Sequence, residues 1–183
     1  MKLISLTLVL LSLLSFNQLY SQDSIPAAAV KLGARTPVTG THVSITPPEK
    51  FNYSEKLKGF VHPGSAASVI VTEAENISWI QASQSLTQSA LNGQNASLLT
   101  QEDVVLGNGT TGRLFTLRII LASNDSTKQD IEFERLILFA GDYHYTMIIN
   151  ANYPALLRSV LYPTLKASML SAEIGSTLNI PAE

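Results

Sequence analysis

"VVLGNGTTGRLFTLRII", Val104 to Ile120, decides the fold. Gly107, Gly109 and Gly112 spell G-x-G-x-x-G after an apolar run, the glycine pattern of a dinucleotide-binding loop. Such a loop needs a strand before it and a helix after it, because amides at the helix start hold the pyrophosphate. Here the following residues alternate, with Phe115, Leu117, Ile119 and Leu121 on one side and Thr116 and Arg118 on the other. Alternation with period two indicates a strand. Asn108-Gly109 is also a strong hairpin pair. Gly107, Asn108, Gly109 and Gly112 therefore read as a hairpin turn, and no nucleotide is expected.

The same rhythm continues downstream. "IEFERLILFA" sets Ile131 and Phe133 against Glu132 and Glu134, then becomes apolar on both faces through Phe139. Gly141-Asp142 links it to "YHYTMIINA", and the polar "SNDSTKQD" separates the two preceding strands. This is a meander of long strands with short links. Tyr153-Pro154 then opens a last helix, with Leu157, Leu161, Leu165 and Met169 four apart on one face. Pro163 is expected to kink it or break it near Tyr162. Upstream, Val43 and Ile45 mark a short strand stopped by Pro47-Pro48, and Ala67 to Thr72 marks another. Asn76 is placed to cap a helix that ends at Gly93, although its serines lower the intrinsic propensity.

Of the 183 residues, 1–21 read as a secretory signal peptide: Lys2, then the apolar run Leu3 to Leu14, then small polar residues. Residues 22–40 are expected to form a flexible lead-in, 41–175 a single α+β domain, and 176–183 a tail. The apolar run is short for a membrane span, so the protein is not expected to be integral to the membrane after cleavage. The chain has no cysteine, which excludes disulfides, thiol chemistry, cysteine metal sites and a cysteine-linked lipid. A formal net charge of -2 without a basic stripe makes nucleic acid an unexpected partner. The expected location is the periplasm or the outside of a bacterial cell.

Candidate chemistry is sparse. His42, His62 and His144 lack the clustered spacing of metal ligands, so neither metal nor cofactor is expected. No G-x-S-x-G elbow occurs. Glu132 and Glu134 share a strand face, and with Arg118 opposite they read as a solvated face with cross-strand pairs. No catalytic residue is assigned. Tyrosines gather near the last strand, and Tyr143 and Tyr145 join Arg118, Glu132 and Glu134 as the expected contact surface. Two rivals stand beside this reading: a small envelope hydrolase using His144 or the Glu132/Glu134 carboxylates, and a carrier of a small apolar ligand. Asn52, Asn76, Asn95, Asn108 and Asn124 each begin N-x-S/T, which turn chemistry explains as well as glycosylation.

Element order and short phrases carry a resemblance. "KLKGFVHPG" leads to "ASVIVTEA", a helix, long antiparallel strands and "NANYPALLRSVLYPTLKASM". Gly59-Phe60, Gly107 to Gly112, Phe139-Ala140-Gly141 and Ala151 to Pro154 match best. Over about Val43 to Leu170 the chain resembles the PsbP-like/DcrB-like superfamily, which joins an extrinsic photosystem protein, a bacterial envelope protein and a nuclear Ran-binding protein. The resemblance implies a three-layer α/β/α sandwich around a central, mainly antiparallel twisted sheet. It also implies an accessory or binding role, here toward an envelope protein partner, and assigns no site residue.

Overall fold

The computed structural model describes residues 30–92, 94–122 and 130–180. The expected signal peptide, the first part of the expected lead-in, Gly93, most of the polar turn after Ala122 and the last three residues lie outside the described residues.

The glycine stretch forms a hairpin between β6 (Ala96–Val105) and β7 (Thr111–Leu121). The Leu106 amide donates to the Thr110 carbonyl at 2.9 Å, and Gly109 takes a left-handed φ of 85°, which favours glycine. Gly112 has a different reason to be glycine: a Cβ there would lie 2.6 Å from the Phe139 carbonyl oxygen. β7 pairs with β8 (Ile131–Gly141), which pairs with β9 (Tyr145–Pro154). β3 (Asn52–Ser54), β4 (Gly59–Val61) and β5 (Ser68–Glu75) form a second meander, joined to the first where β5 pairs with β9. The result is one antiparallel seven-stranded sheet in the order β3-β4-β5-β9-β8-β7-β6.

Both faces of the sheet are covered, which explains why its middle strands are apolar at consecutive positions. On one face Leu114, Leu136, Leu138, Met147 and Ile149 pack against Leu165 and Met169 of α3 (Arg158–Leu170). Each of those two helix residues contributes about 2 kcal/mol by leaving water. On the other face Phe115, Leu117, Ile137 and Phe139 pack beneath α1 (Trp79–Gln84) and α2 (Gln88–Leu91). Helices thus lie on both sides of an antiparallel sheet, the α+β sandwich expected. The α3 side carries an additional small sheet, β1 (Thr36–Pro37), β2 (Val43–Ile45) and β10 (Glu173–Ile174).

Several local expectations are corrected. The helix expected from Asn76 to Gly93 is two short helices. Ser83 and Ser85 hydroxyls donate to the Ile80 and Ala82 carbonyls, competing with the helix, and Thr87 then caps a new start. Ser78 is the cap of the first, while Asn76 sits at a left-handed φ of 60°. Tyr153-Pro154 ends β9 instead of opening a helix; a 3-10 turn, Ala155–Leu157, intervenes. Helix α3 runs through Pro163 unbroken. The bond lost there belongs to the carbonyl of Ser159, an exposed residue that water can serve. The hairpin tip meets the other end of this helix, where the Gly107 amide donates to the Leu170 carbonyl at 3.0 Å.

The lead-in and the tail are likewise tied down where they are described. Val38 is fully buried, and Leu32 bridges to Pro48. The Asn179 side chain donates to the Val43 carbonyl at 2.9 Å, and its backbone exchanges hydrogen bonds with Gly40 and Thr41. Pairing between segments so distant in sequence leaves no local periodicity to read.

Candidate functional site

At the outer ends of β7 and β8, beside the start of α3, lies an open groove of about 740 Å³. Arg118, Ile131, Glu132, Glu134, Leu156 and Arg158 line it. Positions 118, 132 and 134 point to the α3 side of the sheet by the same alternation that buries Leu114 and Leu136. Arg118 stands opposite Glu134 in the β7–β8 register, yet its guanidinium lies 3.8 Å from the diagonal Glu132, both side chains being about half exposed. An exposed pair of this length contributes little.

Glu134 behaves differently and corrects the expectation of a solvated face: it is only 3% exposed. Its Oε2 accepts from the Tyr153 hydroxyl and from Arg158 Nη1. Burial, then the hydrogen bond to Glu134, pushes the Tyr153 hydroxyl well above its usual range. The same carboxylate raises the pKa of Arg158. The Arg158 guanidinium also lies 4.8 Å above the Tyr162 ring, so it is held from two sides. Beside it Leu156 is 84% exposed and Ile131 57% exposed. The groove therefore combines fixed charge with unprotected apolar side chains.

The five residues expected as one contact surface do not form one. Arg118, Glu132 and Glu134 line this groove. Tyr143 lies at the β8–β9 hairpin, at the opposite end of β8, where it lines a smaller pocket. Tyr145 faces the α3 side and donates its hydroxyl to Glu73. His144, exposed in the same hairpin, is likewise a strand length from Glu132 and Glu134, so the groups of the hydrolase reading do not converge. His42 sits beside Glu73, and His62 stacks edge-on with Phe51. Among the described residues no group of three or more His, Asp or Glu side chains is placed to hold a metal ion. Nor is any described helix long and apolar enough to cross a membrane.

Sequence reasoning missed Leu156 and Arg158. Leu156 was available as a signal, being an apolar residue off the four-spaced stripe of Leu157 and Leu161. Arg158 was not, because its partner Glu134 is on a distant strand.

The sequence matches no protein-family model and no curated protein. The fold, in contrast, has solved counterparts. It is similar to the Ran-binding protein Mog1p of Saccharomyces cerevisiae, with a TM-score of 0.53 at 12% identity, over 80% of this chain and 96% of that one. It is also similar to cyanobacterial PsbP (CyanoP) from Synechocystis, with a TM-score of 0.52 at 10% identity, over 81% and 95%. At such identities the likeness extends to the fold, which is the PsbP-like sandwich that the sequence resembles.

Proposed function

We propose that this chain is an exported accessory or binding protein of a bacterial envelope that holds a protein partner in the groove between the β7–β8 ends and α3. The observation that carries this reading is Leu156, which stands 84% exposed on a short turn beside an arginine anchored to a buried carboxylate. An apolar anchor flanked by pre-positioned charged groups is what partner contacts use, because little side-chain freedom remains to be lost on docking. The signal-like first residues support export, and a fold shared with a Ran-binding protein supports binding over chemistry.

The test is capture from detergent-solubilised envelope by residues 22–183, with Leu156→Asp alongside. One stoichiometric protein retained by the parent and lost by the variant, at unchanged thermal unfolding, is the expected result. Equal capture by both removes the groove from the reading, and clean beads after mild crosslinking overturn the binding role.

A further inference from the structure

The hairpin between β8 and β9 carries a second site, far from the groove. A pocket of about 270 Å³ lies between this hairpin and the start of α1, lined by Ser78, Trp79, Ile80, Gly141, Asp142 and Tyr143. Trp79 is the single tryptophan of the chain. Tyr143 is 80% exposed, and Ile80 41%. We infer that this pocket binds an alkylammonium group, held between the aromatic side chains of Trp79 and Tyr143 and the carboxylate of Asp142.

Three observations converge on a cation. First, Asp142 shapes the turn with one oxygen only: Oδ1 accepts the amides of His144 at 2.7 Å and Tyr145 at 2.9 Å. Its Oδ2 has no hydrogen-bond partner among the described residues. Second, no ion pair to Asp142 is formed among the described residues. Arg113, which shares the α1 face of β7, is already held by Asp103 at 2.7 Å. His144, exposed, lies in the turn itself. Third, two π systems line one small pocket, and ring faces attract ammonium groups while offering anions nothing. The volume suits a trimethylammonium head or the end of a lysine side chain and is small for a nucleotide or an extended glycan.

Because Trp79 is alone, its fluorescence reports the site directly. The protein, residues 22–183, would be titrated with choline, with its neutral isostere 3,3-dimethylbutan-1-ol, and with Nα-acetyl-lysine methylamide. A saturable change with choline or the lysine amide, but not with the neutral isostere, is expected. Choline binding more tightly indicates a free small cation, and the lysine amide binding more tightly indicates a partner's side chain. Asp142→Asn keeps the turn, since its amide oxygen accepts the same two N–H groups, and should weaken binding about three- to tenfold; Tyr143→Ala should do the same. Leu156→Asp should leave it unchanged, which separates this site from the groove. An equal response to the neutral isostere, or no saturable change with either cation, overturns the proposal.

Discussion

Strand β9 carries a tyrosine near each end on the same face, and each hydroxyl donates to a glutamate: Tyr153 to Glu134, Tyr145 to Glu73. The two pairs differ in what completes them. Glu134 is answered by Arg158, a permanent cation, and the pair ties the start of α3 to the sheet. Glu73 is answered by neutral donors, the backbone amide of His42 at 2.6 Å with Tyr145, and by the imidazole Nδ1 at 3.4 Å. His42 in turn accepts the Gly175 amide at 2.7 Å, so this pair ties the small sheet to the large one. One end of the strand is fixed by charge, the other by a carboxylate shared among polar donors. A buried carboxylate with a dedicated cation is costly to disturb from either side, whereas one with several neutral donors loses them singly.

The largest effect should follow Glu134→Ala, which strands Arg158 and the Tyr153 hydroxyl together. A loss of about 3 kcal/mol is expected in urea unfolding at unchanged slope, somewhat less where water reaches the half-exposed arginine. Alkali should act on both ends. The two hydroxyls are raised above the ordinary tyrosine range, so the fold favours their neutral forms. That stability is complete below about pH 10 and is lost above it, by about 1.4 kcal/mol per pH unit for each tyrosine. Tyr153→Phe or Tyr145→Phe should each halve that slope between neutral and strongly alkaline urea titrations; an unchanged slope would break the comparison. Glu73→Gln retains an acceptor and should cost about 1 kcal/mol. If it costs as much as Glu134→Ala, the asymmetry between the ends is wrong. The smallest effect belongs to Arg118→Gln, under about 0.5 kcal/mol, because its bond to Glu132 is exposed and long.

How much of this was legible follows from where each signal resides. The Asn108-Gly109 turn and the alternation after it are local, and they gave the hairpin and rejected the nucleotide loop. The consecutive apolar residues from Leu136 to Phe139 pointed to a sheet covered on both faces. Glu134 misled because alternation marks its face but not depth: the turn carrying Leu156 and the first residue of α3, Arg158, lie over that strand end. The small sheet was legible only in part: Val43 and Ile45 alternate and read as a strand, but its partners β1 and β10 are two residues each and carry no period. The serines after Ser78 lowered helix propensity visibly, yet only their bonds to the Ile80 and Ala82 carbonyls divide the segment in two. As for the contact surface, residue type picked out Arg118, Glu132 and Tyr143, while strand length decided that they serve different ends.

The junction of the two meanders governs the order of folding. Val69 pairs with Ala151, whereas β6, β7 and β8 each pair with the next strand in sequence. Each strand from β6 to β9 can find a partner within a short loop, but β5, paired locally only with β4, must wait for β9 until residues 145–154 have been made. Closing that junction is the entropically demanding step, and it buries Val69 and Val71 against Ile149 and Ala151 at once. A chain halted before Tyr145 exposes the full edge of β5, an eight-residue template for pairing with another chain. Late synthesis, rather than any individual contact, thus becomes the moment at which aggregation and folding compete.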